Sequence, residues 1–256
     1  ETEHLFFKLS EFRDTLLEWL SEGKEHWRPS VINFTRNWLK EGLIDRAVTR
    51  DLEWGIEIPR EGYETKRMYV WFEAVMGYYS ASVHWAKNQG KPDEWKKWWE
   101  REESEHYYFM AKDNIPFHTI IWPAMLSGCG YKLPYDVPAN EYLLLDSSQF
   151  SKSRRHAIWI PDYLDRYDPE LLRFYLAAIM PEQKDANFTW EDYVTRINTE
   201  LIGNYGNLLY RVMSFANKNY PDGLHSDATT IPSLNEKIIE TQKRVSEALE
   251  ACKFKK

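Results

Sequence analysis

Three short apolar runs constrain this chain more than any other feature. They are Met68-Tyr69-Val70-Trp71-Phe72, Tyr107-Tyr108-Phe109-Met110 and Tyr142-Leu143-Leu144-Leu145. Each is continuous, β-prone and about one strand long, as expected for strands buried on both faces. Segments of helical pattern separate them: residues 73–87, a charged stretch opened by Pro92 with Trp95, Trp98 and Trp99 at helical spacing, and residues 115–127. Strands alternating with helices predict an α/β fold with a parallel sheet. Residues 10–42 read as two further helices, the first stopped by Gly23, the second opened by Pro29 and ended by Gly42.

After the third run the pattern is all helical. Asp168-Pro169 reads as an N-cap followed by proline at the first helical position, and Pro181 closes that helix. Thr189 to Asp192 resembles a capping box. It opens a long helix with apolar residues at 194, 197, 201, 205, 208, 212 and 215, a spacing that predicts a bundle face. Ser233-Leu234-Asn235-Glu236 reads as the capping box of the last helix.

The chain is 256 residues long, enough for more than one domain, with 12 Trp and a net charge of −7. A broad nucleic-acid-binding face would more often make a chain basic, so any such contact here is expected to be local. Cys129 and Cys252 lie far apart and form neither a CxxC pair nor a metal set, which fits a reduced, cytoplasmic setting. No run approaches the length of a membrane span, and Glu1-Thr2-Glu3-His4 resembles no signal peptide.

Directly after the third run comes Asp146-Ser147-Ser148-Gln149-Phe150-Ser151-Lys152-Ser153-Arg154-Arg155. The first four residues read as a loop. Three fixed cations and no acid lie between Ser147 and Pro161. Hydroxyl residues flanking a mobile ammonium suit a polyphosphate, although Phe150 to Arg155 alone would equally describe a solvated basic loop. Two earlier segments carry polar residues past the ends of predicted strands, where doubly wound sheets bind ligands. One is Trp71 to Tyr78; the other is Lys112 to Pro123. Asp113 sits where a carboxylate can accept hydrogen bonds from a ribose, and Phe117, His118 and Trp122 share one helix face.

In this order, these stretches resemble methionyl-tRNA synthetase, a class I aminoacyl-tRNA synthetase, of the archaeal or eukaryotic-like type. The resemblance also runs through Thr49 to Gly55, Asn140-Glu141-Tyr142, Phe150 to Trp159 and Arg196 to Arg211. The basic loop is similar to the family's Lys-Met-Ser-Lys-Ser element, with Gln149 and Phe150 in place of its first two residues. The resemblance implies that Lys152 stabilises the transition state of adenylate formation, with Ser151 and Ser153 shaping an ATP-binding loop. It implies a methionine pocket of Trp71, Tyr78, Phe117, His118 and Trp122, with Val75 where many bacterial members have proline. It implies that Asp113 and Glu57 contact the ribose, that Arg50 lies near the ATP, and that Ala111 replaces a glycine. Asn207 and Arg211 match anticodon readers, and Asn204 extends their polar stripe. The third reader of bacterial members, a tryptophan, has no counterpart near Leu249.

The implied fold is the second half of a Rossmann-like parallel sheet followed by an all-α anticodon-binding helix bundle. The implied domains are the end of a connective domain (1–66), the second half of the catalytic domain (67–146), the Ser-Lys-Ser loop and stem-contact region (147–187) and the start of the bundle (188–256). The implied substrates are L-methionine, ATP with Mg2+ and methionine tRNA, with no membrane and no metal site in this chain. No two of the seven histidines are spaced three apart, so the family's His-Ile-Gly-His-like motif is absent, as are its zinc-binding cysteines. The chain is therefore expected to be a fragment that needs the N-terminal half of the catalytic domain for activity. A non-catalytic, synthetase-derived tRNA-binding module and a pure scaffold are the alternatives. Contact with tRNA is expected at Lys152/Arg154/Arg155 and at Lys253/Lys255/Lys256.

Overall fold

The computed structural model describes residues 2–223 and 231–255; Lys256 of the second basic patch lies outside them. The chain divides into two compact units, Glu1–Ala139 and Asn140–Lys256. The fold is mixed α/β, the class expected from the sequence.

In the first unit β1 (Phe6–Phe7) pairs antiparallel with β2 (Arg46–Ala47). Between them lie α1 (Arg13–Trp19) and α2 (Pro29–Glu41). Pro29 opens α2 after extended Arg28, and Gly42 leaves it at φ 100, a conformation open to glycine. Leu16, Leu20, Val31 and Leu39 are buried and join Ile120, Leu126 and Val137 in one core. Next, β3 (Thr49–Asp51) pairs antiparallel with β4 (Lys66–Met68), Arg50 opposite Arg67.

Here the structure corrects the sequence reading. The strand stops at Met68, and the rest of the apolar run is a helical turn, α3 (Val70–Glu73), with Val70 and Trp71 half exposed. The Tyr69 carbonyl accepts from the N–H groups of Phe72 and Glu73 and closes the turn. A short apolar run carries no period that separates strand from helix. A 3-10 turn (Ala74–Met76) continues into α4 (Gly77–Asn88). The Trp-rich stretch yields only the short α5 (Lys96–Trp99), with Trp99 buried against Trp122.

The second run is also shorter as a strand than expected. β5 covers Met110–Ala111, and Tyr107 makes only an isolated parallel bridge to Asp136. Tyr107 and Phe109 are exposed while Tyr108 points inward, so the run is one-sided rather than buried on both faces. A π-helical segment (Phe117–Ile121) leads into α6 (Trp122–Gly128), and β6 (Ala139–Asn140) lies where the two units join.

The second unit starts with a hairpin. β7 (Leu143–Leu145) pairs antiparallel with β8 (Ser148–Gln149), Leu145 opposite Ser148. The predicted loop 146–149 is thus a two-residue turn. Its central residues, Asp146 and Ser147, have φ of 47 and 64, the sign a type I′ hairpin turn requires. Two helices follow, α7 (Ile160–Leu164) and α8 (Pro169–Ala178). The Asp168 carboxylate accepts from Glu170 N at 2.8 Å, the predicted cap of α8. The chain then returns as β9 (Ala186–Phe188), parallel to β7. Leu145, Tyr163, Tyr175, Phe188 and Tyr193 form this unit's core.

Thr189 Oγ1 accepts from Asp192 N at 3.1 Å and caps α9 (Trp190–Arg196). A π-helical segment (Ile197–Gly206) and α10 (Asn207–Asn219) continue it. The expected bundle face is corrected: Ile197 is buried, but Val194, Tyr205, Leu208, Val212 and Phe215 are all exposed. The 3-4 spacing reports an apolar stripe and not what covers it. The last helix, α11 (Pro232–Glu250), starts before the predicted capping box. Pro232 has its φ already fixed for the first helical position, so Ser233 falls inside the helix and makes no cap bond.

Candidate active site

The expected pocket residues come together in the first unit as one chain of rings. Trp71 stacks on Phe117 with centroids 5.6 Å apart. The next residue, His118, is buried and held at both ring nitrogens. The Asn114 carbonyl lies 3.0 Å from Nδ1 and can only accept, so Nδ1 carries the proton. Nε2 then accepts from the Tyr78 hydroxyl at 2.8 Å. Burial holds the imidazole below its ordinary pKa and pushes the Tyr78 hydroxyl up, so both are neutral at pH 7. Tyr78 meets Tyr108 edge-on at 5.1 Å, and the Trp122 indole N–H donates to the Tyr108 hydroxyl at 2.9 Å.

These rings make a floor and a rim. His118, Tyr108 and Trp122 are buried; Trp71 and Tyr78 are 51% and 44% exposed. Among the described residues no charged side chain hydrogen-bonds to any of them. Such a surface suits an apolar, polarizable group such as a thioether and penalises a charged one. The backbone supports it: His118 lies in the π-helical turn, a local widening often found at functional sites.

Tyr108 is the ring that the sequence reading missed. It joins Tyr78, His118 and Trp122, and burial pushes its hydroxyl up to about 12. Three consecutive aromatics, Tyr107, Tyr108 and Phe109, carry no sequence signal that singles out the middle one; only the structure shows it buried between two exposed rings. Val75, inside the Trp71–Tyr78 segment, is a buried core residue.

The residues expected to face the nucleotide form two separate groups. Asp113 lies in the turn Lys112–Asn114, beside the carbonyl that orients His118. Its carboxylate is exposed and, among the described residues, meets only Asn114 Nδ2, at 3.4 Å. Ala111 is extended there (φ −92, ψ 160), a conformation that costs alanine nothing. Arg50 and Glu57 flank Arg67 on the β3–β4 ribbon. Arg50 Nη1 donates to the carbonyls of Ala47 and Thr49 and its guanidinium lies 4.1 Å over the Tyr69 ring. Glu57 is exposed, 3.9 Å from Arg67. Neither shares a hydrogen bond or ion pair with Asp113.

The Ser-Lys-Ser segment belongs to the second unit. Ser151 and His156 bond each other's backbones at 2.9 and 3.0 Å, so Lys152 to Arg155 form a closed turn. His156 Nε2 donates to the Leu145 carbonyl at 2.8 Å and ties the turn to β7. Ser151 Oγ accepts from Arg154 N at 3.3 Å and lies 3.3 Å from Ser153 Oγ. Arg155 takes φ 54, mild strain in a residue that is not glycine. With its backbone bonded internally, the turn projects Lys152 outward. The ammonium is exposed and makes no ion pair among the described residues. Below it, Ser147 N donates to Asn187 Oδ1 at 2.7 Å, so β9 pins the hairpin.

Asn207 opens α10 and Arg211 follows one turn later; both are exposed on one face. Asn204 falls in the π-helical segment, where i→i+5 bonding changes the rotation per residue, so the three do not form one regular α-helical stripe. Among the described residues no group of three or more His, Cys, Asp or Glu side chains could hold a metal ion, and no helix is long and apolar enough to cross a membrane.

The family model described as tRNA synthetases class I (M) matches residues 1–213, and the chain belongs to that family. Among curated relatives it is similar to a methionine–tRNA ligase of Dehalococcoides mccartyi, 57% identical over 215 residues, which cover 84% of this chain and 38% of the relative. The ligase of Thermomicrobium roseum is 53% identical over 222 residues, 86% of this chain and 38% of that protein. Among solved structures, Mycobacterium tuberculosis methionyl-tRNA synthetase in complex with methionyl-adenylate superposes with a TM-score of 0.81 at 25% identity, over 99% of this chain and 49% of that one. The chain thus spans about 38% of the length of these curated relatives.

Proposed function

We propose that this chain carries the methionine pocket, the phosphate-facing lysine and an RNA-reading helix of a cytoplasmic methionine–tRNA ligase. The observation that carries the reading is the ring cluster of Trp71, Tyr78, Phe117, His118 and Trp122, neutral throughout and open at one rim. In this reading the methionine side chain lies on the Trp71 and Tyr78 faces. Its carboxylate oxygen attacks the α-phosphorus of ATP, which enters with Mg2+ as substrate. The P–O bond to the β-phosphate breaks and pyrophosphate leaves. Lys152 offsets the charge that develops on the phosphates, with Ser151 and Ser153 as hydroxyl partners. A ribose hydroxyl of methionine tRNA then takes the methionyl group from the adenylate. No side-chain nucleophile is needed.

Asp113 and Glu57 are the proposed ribose contacts. Arg50, already fixed by two carbonyls, is proposed to act as a local positive field near the ATP. Asn207 and Arg211 are proposed to read single-stranded bases of the anticodon. The proposed domain division keeps the boundaries of the sequence reading, at residues 66, 146 and 187. The proposed type is archaeal or eukaryotic-like, supported by Val75 at the position where many bacterial members have proline. Supported by the missing His-Ile-Gly-His-like motif, the isolated chain is proposed not to make methionyl-adenylate.

The pocket assignment is tested in the enzyme of full family length by methionine-dependent ATP–pyrophosphate exchange. Trp71→Ala removes a half-exposed ring that stacks on Phe117. It should raise the KM for methionine about tenfold or more, the loss typical of an aromatic anchor, with the KM for ATP unchanged. An unchanged methionine KM would remove the pocket from the reading.

A further inference from the structure

The second unit holds a further cavity, of about 440 Å³, that neither the pocket nor the Ser-Lys-Ser turn uses. Its size is in the range that takes one small organic group. Trp159, Tyr163, Arg166, Tyr167 and Trp190 line it, with Asp162 among them. Tyr163 is buried and rigid: its hydroxyl lies 2.7 Å from that of Tyr193 and donates to the Asp168 carbonyl at 3.2 Å. Tyr163 and Trp190 are nearly parallel, 14° apart with centroids at 6.4 Å, and Tyr167 lies 5.2 Å from Tyr163. Unlike the core tyrosine, Trp159, Tyr167 and Trp190 are each more than 40% exposed. Packing accounts for the inner ring and leaves the outer ring faces open.

We propose that this cavity binds one unstacked nucleotide of an RNA, the base lying on the exposed Tyr167 and Trp190 faces. Aromatic planes beside a guanidinium are the usual platform for a splayed base, because every base has a π-face and the backbone beside it is anionic. Arg166 is exposed and no carboxylate pairs with it among the described residues. The lining begins at Ala157, two residues after Arg155, so the cations Lys152, Arg154 and Arg155 directly precede it in the chain. Asp162 can accept from the amino group of a base. An apolar peptide would leave these cations without partners. The inference rests on the reading of the chain as part of a tRNA ligase and adds an RNA contact to the anticodon residues.

The test is binding of a fluorescein-labelled methionine tRNA transcript to the 256-residue chain, read by anisotropy. Arg166→Gln and Tyr167→Leu are surface changes, and their folding is checked by circular dichroism. Each should weaken binding about fivefold to a hundredfold, the span seen for single stacking contacts. Trp54→Ala, at an exposed tryptophan elsewhere, should leave it unchanged. Binding that falls on Asn207→Ala or Arg211→Ala but not on Arg166→Gln or Tyr167→Leu would overturn the cavity proposal and leave the ligase reading intact. A chain that binds no tRNA would overturn both. Saturable quenching of tryptophan fluorescence by free AMP, lost in Tyr167→Leu while tRNA binding persists, would reassign the cavity to free nucleotides and overturn the RNA proposal.

Discussion

At the scale of single residues, the side chains named from the sequence carry chemistry that the structure makes specific. His118 illustrates this. From sequence it was one ring on a helix face; in the structure its tautomer is fixed by a carbonyl on one side and a phenol on the other. This has a consequence for pH. Burial lowers the folded-state pKa below the ordinary histidine value of about 6.5, so between the two values the unfolded chain binds the extra proton. The contribution is complete above about pH 6.5 and shrinks as pH falls below it. Urea unfolding of the first unit should therefore weaken from pH 7 to pH 5, and His118→Gln should flatten that dependence. Equal slopes for wild type and variant would contradict the buried, neutral ring. The family resemblance named Trp71, Tyr78, Phe117 and Trp122, and the structure brings their rings together in the first unit. Tyr108 was not legible, because one-sided burial in a three-aromatic run depends on what packs beneath it.

At the scale of elements, start and stop signals were legible wherever they are local. Pro29, Gly42, Asp168 and Thr189 each act through their own backbone or within a few residues, and each marks an observed boundary. Elements decided by tertiary surroundings were not legible. Met68–Phe72 becomes half strand and half helix, and residues 197–206 form a π-helical segment that no 3.6-residue period announces. That segment gives a test. A Cβ on Gly203 would stand 2.9 Å from the Asn198 carbonyl oxygen, five residues back, closer than real contacts allow. Gly203→Ala should cost about 1–3 kcal/mol in urea unfolding of the second unit, the usual penalty of overpacking. Unchanged stability would mean that the turn is not wound this tightly. The type I′ turn predicts the opposite sign. Ser147 sits at φ 64, so Ser147→Gly should be neutral or stabilising, by up to about 1 kcal/mol in thermal unfolding. A clear loss would show that the side chain, rather than the backbone, fixes the turn.

At the scale of the whole molecule, composition decided more about class than about surface. Alternating strand-like and helical segments correctly gave a mixed α/β fold, and the ordered motifs correctly gave the synthetase family. The net charge of −7 predicts that any RNA contact is confined to patches such as Lys152, Arg154 and Arg155 and is strongly salt-dependent. The apolar stripe of α10 was legible, but its exposure was not, since a sequence period is silent about the partner of a face. Leu208, Val212, Met213 and Phe215 on α10, and Ile238, Ile239 and Val245 on α11, are all exposed. Apolar surface of this extent promotes association, so sedimentation velocity on the 256-residue chain should show concentration-dependent self-association that Leu208→Glu with Phe215→Glu reduces. The central claim is that Lys152 meets the charge developing during methionyl-adenylate formation. Its most direct test is methionine-dependent ATP–pyrophosphate exchange by Lys152→Ala in the enzyme of full family length. The rate should fall about 10²–10³-fold, as when one preorganised donor is lost, with the KM for methionine nearly unchanged. Exchange at the wild-type rate would contradict it.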